Sequence, residues 1–337
     1  MEYTKAEAKG WAREVFHGVC NVIIPSFTAD LQHLNERGIR HDVRRNIEQG
    51  FWGALLVSEA GTTMDEMRQF MEIAVDEAKG RHRFLLHGMF DTADSIIRMA
   101  RDACAIGMDG MLLGHPNSFY PKDCDELYRY LAHVCDSTDI AVVLFAAGHW
   151  NFARLHPSGY PPEVLAKAAD LPNVVAVKYE VGRPGIAGDY QFWKMIRDKR
   201  VLFSDPLEAN SPLTVELFGQ QWMGTSNYEY FGNCVPRYFK LLREGQFDQA
   251  MDIYWQIEPV RAARNAEAAT FSGANFIHRY LWKYQAWLHG YNGGPMRQPV
   301  MKLNDGQLRR VRDALQRAGL EPTKDDPSQF FVGRNPA

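Results

Sequence analysis

Lys178 closes the apolar run Asn173-Val174-Val175-Ala176-Val177-Lys178, and Tyr179-Glu180 follow it. Such a run reads as a strand buried on both faces, the kind found in parallel sheets. Side chains alternate along a strand, so Val174, Ala176, Lys178 and Glu180 share one face, and Val175, Val177 and Tyr179 the other. A lysine near the C-terminal end of a buried strand is costly to desolvate unless it has a partner or a task. Burial disfavours the ammonium form, and a neutral amine is a nucleophile. Two chemistries stay open on this segment alone. The amine forms an imine with a carbonyl substrate, or it reaches solvent past the strand end and pairs with Glu180.

Other groups could move protons beside it. His149-Trp150 follow the fifth apolar run, His115 and Tyr120 the fourth, and Tyr228, Glu229 and Tyr230 the eighth. Histidine is the commonest proton carrier near neutral pH, although a lone loop histidine is often merely solvated. His87 ends the third run, where core packing is the plainer role. Asp205 follows the seventh run and can cap the next helix. Ser226, just past the eighth run, is a further candidate for substrate contact. Ser58-Glu59-Ala60-Gly61-Thr62-Thr63 precedes Met64-Asp65-Glu66. Its small and hydroxylated residues suit a carboxylate cradle, and Thr62 or Thr63 with Glu66 also suits a capping box. Trp150, Phe152, Tyr160, Trp222, Tyr228 and Tyr230 crowd the strand ends. They either line a pocket for a bulky or aromatic aldehyde or pack the loops.

These groups need a scaffold, and short apolar runs supply it at 19–25, 54–57, 84–87, 110–113, 140–145, 174–178, 201–203 and 221–225. Amphipathic stretches such as 64–79, 93–106, 124–135, 161–169 and 188–198 lie between them. The alternation is that of an α/β protein with a parallel sheet. About eight strands, each followed by a helix, favour a closed (β/α)8 TIM barrel over an open doubly wound sheet. No GxGxxG follows the first strand, which disfavours a dinucleotide fold. Helical patterns without strands follow at 246–256, 259–269, 276–289 and 305–319. The expected division is a barrel over 1–245, a C-terminal helical domain over 246–320, and a polar tail over 321–337 that is loosely held.

The totals narrow the function classes. A chain of 337 residues with 46% hydrophobic and 23% charged residues has ample core for one large domain plus an appendage. The formal charge of −3 and the lack of basic runs with interleaved aromatics disfavour nucleic acid and anionic membranes. Cys20, Cys104, Cys124, Cys135 and Cys234 are scattered and odd in number, which predicts reduced thiols in the cytoplasm, no disulfide framework and no metal knuckle. The charged start Met1-Glu2-Tyr3-Thr4-Lys5 does not open a signal peptide, and no stretch is apolar enough to span a membrane.

Several segments together resemble the family of dihydrodipicolinate synthase and N-acetylneuraminate lyase. They are Gly18 with the strand ending Pro25-Ser26-Phe27, the stretch Gly107-Met108-Asp109-Gly110-Met111-Leu112-Leu113 with Pro116, and Leu171-Pro172-Asn173 leading to Lys178. Asn233 with Pro236 and Gly293-Gly294-Pro295-Met296-Arg297-Gln298-Pro299 complete the set. The lysine strand and the Gly-Gly-Pro-x-Arg segment are the most specific, and the set spans nearly the whole chain. The resemblance implies a barrel with a C-terminal helical domain, a homotetramer or homodimer, and no metal or organic cofactor. It implies a lyase acting on a small 2-oxo acid through an imine, and it turns the balance on Lys178 toward the imine.

The chain departs from the family in two places. Members carry a Gly-Thr-Thr-Gly-Glu loop after the second strand, where this chain has a shorter stretch from Ser58 to Thr63; Ser58, Glu59, Thr62 and Thr63 remain candidates for the carboxylate. Many members place a proton-shuttling tyrosine on the fifth strand, where this chain has Phe145, whose ring neither donates nor accepts a proton. His149 and Glu180 are the candidates to take over that role, with Phe145, Asp205 and Ser226 as substrate contacts. Aldolase-type cleavage or condensation leads among the readings. Dehydration of a 2-keto-3-deoxy sugar acid is nearly level with it. Hydratase-aldolases of aromatic substrates, which also place a tyrosine after the lysine as Tyr179 stands here, are a further option. A non-catalytic barrel binding a small acid is the reading from another class. A phosphate-binding barrel has weak support, because Gly224 and Gly232 stand isolated.

Overall fold

The computed structural model describes every residue except 151, 182–184, 272–276 and 299. Phe276, where a helix is expected to begin, and Pro299 of the Gly-Gly-Pro segment lie outside the described residues.

The strands are β1 (Gly18–Ile23), β2 (Gly53–Leu56), β3 (Arg83–Gly88), β4 (Gly110–Leu113), β5 (Val142–Ala147), β6 (Val174–Glu180), β7 (Leu202–Ser204) and β8 (Trp222–Gly224). They form one sheet in the order β7-β6-β5-β4-β3-β2-β1-β8, with helices between successive strands, so the fold is a (β/α)8 TIM barrel. Among the described residues, helices without strands follow residue 245. The expected strands are all present, with ends displaced by a residue or two. At β5 both ends are displaced by two residues, and the later start has a visible cause. Asn173 Nδ2 donates to the carbonyls of Cys135, Thr138 and Ile140 and holds Ile140 in the preceding loop, apolar as it is. Among the described residues no helix is long and apolar enough to cross a membrane, and all five cysteines are free thiols.

Packing groups the chain into two compact units. The first comprises Met1–Cys20 and Arg83–Thr225. Here β5, β6, β7 and β8 carry an inward row in register: Phe145 opposite Lys178, and Lys178 opposite Ser204. Ser204 Oγ accepts from Gly224 N at 3.2 Å and donates to Gly224 O at 3.3 Å, which ties β7 to β8. A side chain at position 224 would meet the Trp222 ring at 2.5 Å and Cys20 Cβ at 2.9 Å, so the close approach requires glycine.

The second unit comprises Asn21–His82 and Ser226–Ala337. Its centre is the helix Arg279–Leu288, buried at every position but Trp282. Lys283 Nζ donates to Pro25 O at 2.7 Å. Burial lowers its ammonium pKa and raises that of the Asp42 carboxyl.

The expectation of a loose tail is overturned in this unit. Residues Ser328–Val332 form a short helix, and Phe330 is fully buried with ring centroids 5.1 Å from Tyr280, 5.1 Å from Tyr284 and 5.9 Å from Trp287. Gly294 N donates to Phe330 O at 2.7 Å, Asn335 N to Asn292 Oδ1 at 2.9 Å, and Ala29 N to Ala337 O at 2.8 Å. One aromatic plug outweighs the polar composition around it. Phe330→Ala is expected to lower the free energy of unfolding by about 3–5 kcal/mol in denaturant titration; a loss under about 1 kcal/mol would show that the tail is not anchored through this ring.

Candidate active site

The site is built outward from β6. Tyr179 stacks on Phe192 of the helix Ile186–Ile196, with centroids 4.4 Å apart and planes 12° from parallel, so it takes the helix side of the sheet. Alternation then sends Lys178 to the inner face. It is 5% exposed, so it does not reach solvent, whereas the expected pairing with Glu180 does form. Its Nζ stands 3.0 Å from Glu180 Oε2, and the Glu180 side chain is 37% exposed. The pair therefore has a dry end and a wet end: the amine is enclosed, and the carboxylate next to it reaches water. On the other side Nζ lies 4.1 Å from the centroid of the Phe145 ring. A ring face at this distance favours a cation by about 0.5–2 kcal/mol, whether ammonium or iminium.

Beyond Phe145 the chain turns through the 3-10 helix Gly148–Trp150. The His149 ring is 5.4 Å and the Trp150 ring 5.7 Å from Phe145, with 4.4 Å between the two. Trp150 Nε1 donates to Phe145 O at 3.2 Å, which fixes the indole. His149 and Trp150 are half-buried. His115 lies behind them, 1% exposed, its ring 4.9 Å from Trp150 and its Nε2 3.1 Å from Tyr160 Oη. Burial, with the neighbouring His149 adding, pulls its pKa down to about 3, so His115 is a neutral packing group and does not trade protons with solvent.

The other candidates separate on burial and partners. His87 is enclosed within β3, and Tyr120 is 70% exposed beneath the Arg154 guanidinium. Phe152, Tyr160, Trp222, Tyr228 and Tyr230 are all 2% exposed or less, so for five of the six strand-end aromatics the packing alternative holds, and of the six Trp150 alone keeps a partly open ring. Asp205 accepts from Leu207 N at 2.8 Å and Asn210 Nδ2 at 2.7 Å, which holds the turn into the 3-10 helix Glu208–Asn210. Burial raises its pKa to about 7 against these bonds, with Asp189 and Glu180 adding to the rise.

The segment after β2 belongs to the second unit. Thr63 Oγ1 accepts from Glu66 N at 3.2 Å and Glu66 Oε2 from Thr63 N at 2.9 Å, so the capping box forms with Thr63 as the cap. Thr62 Oγ1 donates to Ser58 O at 3.4 Å. Glu59 pairs with Arg279. Arg297, from the Gly-Gly-Pro segment, forks onto Glu66 at 2.6 and 2.7 Å and donates to Gly61 O at 3.0 Å. That arginine thus shapes the stretch from Ser58 to Thr63. In the same unit Ser226 Oγ is half-buried and bonds Asn227 Oδ1 at 3.3 Å. Tyr228 N and Glu229 N donate to Asn21 Oδ1, and burial pushes the 1%-exposed Glu229 carboxyl well above the usual range.

The sequence pattern of the Dihydrodipicolinate synthetase family matches residues 15–318. The chain belongs to this family. It is 24% identical over 318 residues to the 4-hydroxy-tetrahydrodipicolinate synthase of Methanopyrus kandleri, covering 90% of this chain and 97% of that one. It is 29% identical over 300 residues to the same-named enzyme of Pelobacter propionicus, covering 85% and 94%. Among solved structures, dihydrodipicolinate synthase from Oceanobacillus iheyensis superposes with a TM-score of 0.77 at 17% identity, covering 91% of this chain and 98% of that one. N-acetylneuraminate lyase from Fusobacterium nucleatum superposes at 0.72 and 16%, covering 90% and 98%. The chain is an enzyme of this lyase family.

Three members of the polar framework escaped the sequence reading. Ser204 is placed beside Lys178 by strand register, Arg279 pairs with a carboxylate 220 residues away, and Arg297 was visible only as part of a motif. Alternation along β7 could have found the first. No local spacing announces the Arg279 pair.

Proposed function

We propose that this family member is a lyase that acts on a 2-oxo acid through an imine on Lys178, making or breaking the C3–C4 bond as an aldolase does. The observation that carries the reading is the enclosed amine with a partly exposed carboxylate 3.0 Å away. Glu180 takes a proton from Lys178, and the free amine attacks the C2 carbonyl. Loss of water leaves an iminium over the Phe145 face. A base removes the proton of the C4 hydroxyl, the C3–C4 electrons move toward the iminium, and an aldehyde departs from the resulting enamine. Protonation at C3 and hydrolysis then release the shorter 2-oxo acid and restore the amine. His149 is the base assigned to the C4 hydroxyl, since Phe145 cannot serve. Phe145 and Asp205, in the unit that carries Lys178, are assigned to substrate contact; for Ser58, Glu59, Thr62, Thr63 and Ser226 the assignment rests on the sequence alone, their small and hydroxylated side chains and backbone amides suiting a carboxylate. We further assign a homotetramer or homodimer, to be checked by sedimentation, and a cytoplasmic location, in keeping with the free thiols.

The protein incubated with pyruvate and borohydride is expected to gain the mass of one reduced pyruvyl imine, mapped to Lys178 by peptide sequencing. Absence of an adduct with pyruvate and with other 2-oxo acids would overturn the imine and favour a non-catalytic small-acid binder. Pyruvate release from a panel of 4-hydroxy-2-oxo acids supports the aldolase path; loss of the C4 hydroxyl with the carbon chain intact would instead make the enzyme a hydro-lyase.

A further inference from the structure

Resting on the imine reading, we infer that Phe145, His149 and Trp150 form a specificity wall that selects substrates carrying a flat aromatic group at C4, and hence an aromatic aldehyde as the released or consumed partner. A substrate joined at C2 to Nζ lies against the Phe145 ring, which stands 4.1 Å from that nitrogen. Its C4 end then extends along whatever adjoins Phe145. What adjoins it in this unit is a run of rings, His149 at 5.4 Å and Trp150 at 5.7 Å, the latter edge-on at 82°. Both keep part of their surface open.

The wall is fixed before any ligand arrives. The indole N–H is tied to Phe145 O, and the indole is backed edge-on by the neutral His115 at 85°. Gly114 follows Leu113, the register partner of Leu144, and therefore stands beside Phe145. A Cβ there would meet Trp150 Cζ2 at 3.1 Å and the Met89 side chain at 2.5 Å. The glycine leaves the space that the indole fills.

Rigid rings favour aromatic groups by offset and edge-to-face contact. A polyhydroxylated chain against them would lose water from its hydroxyls and gain no partner except the His149 ring. Phe145 has no polar atom in its ring and the Trp150 N–H is taken by Phe145 O, so His149 is the ring of the three assigned to the aldehyde oxygen.

The test runs in the condensation direction with pyruvate and either benzaldehyde or glyceraldehyde, measured as kcat/KM. The wild-type enzyme is expected to prefer benzaldehyde by about tenfold or more. Trp150→Ala is expected to erase most of that preference through KM for benzaldehyde, and Trp150→Phe, which keeps a ring, to retain it. A preference for glyceraldehyde, or an equal fall for both aldehydes in Trp150→Ala, would overturn the wall while leaving the Lys178 adduct in place. Failure to form the pyruvate adduct at all would instead remove the imine reading and this inference with it.

Discussion

Lys178→Ala is expected to lower kcat by on the order of 10⁴-fold or more, because every covalent step of the proposed mechanism runs through the lost amine. The fold should survive. The carboxylate left behind by the amine is part-exposed, so it is not stranded as a buried unpaired charge, the circumstance that makes half-broken ion pairs costly. Lys178→Arg separates chemistry from electrostatics. A guanidinium keeps a cation over Phe145 and a partner for Glu180 but cannot form an imine, so it should be as inactive as alanine and equally unable to trap pyruvate under borohydride. Turnover within about tenfold of wild type in either variant, or an adduct that forms on another lysine, would show that the enclosed amine is a structural cation.

Much of this arrangement was readable in the chain because parallel barrel strands are buried on both faces and so appear as continuous apolar runs. The alternation that sets Lys178 and Glu180 on one side of β6 and Tyr179 on the other follows from strand geometry alone. Capping chemistry was equally local: Thr63 and Glu66 sit three residues apart and close the box that their spacing suggests. The start of β5 was misplaced because Ile140 and Ala141 are as apolar as a strand requires, whereas a single amide, Asn173 Nδ2, decides that Ile140 belongs to a loop. The tail was misjudged for the converse reason, since Phe330 is one ring in a polar stretch and its burial depends on Tyr280, Tyr284 and Trp287. The choice between pocket and packing stayed open for the six aromatics because composition cannot tell an open ring from a packed one. Trp222 opens β8 and packs 5.2 Å from Phe16, whereas Trp150 sits in a turn and stays half-open. Phe145 is the most instructive position. The resemblance implies a proton-carrying tyrosine where this chain has phenylalanine, and its register opposite Lys178 shows what the ring can do, which is to face a cation.

Glu180→Gln is expected to reduce kcat by about 10²–10⁴-fold, the range associated with a positioned proton carrier. The amide is nearly isosteric and can still bond Nζ through its oxygen, so packing around Lys178 should be kept. What it cannot do is accept a proton and pass it to water, and the 37% exposure of this side chain is what suits it to that exchange. If Glu180 acts this way, the slow step should move to imine formation: under single turnover with pyruvate and borohydride, adduct appears more slowly by a factor comparable to the loss in kcat. Were Glu180 merely a counter-ion, glutamine would leave the trapping rate within about threefold of wild type. A third pattern, in which trapping stays fast and cleavage of a 4-hydroxy-2-oxo acid is slow, would move the carboxylate from the C2 end of the reaction to the C4 hydroxyl. It would take from His149 the role assigned to it here, while leaving Lys178 in place.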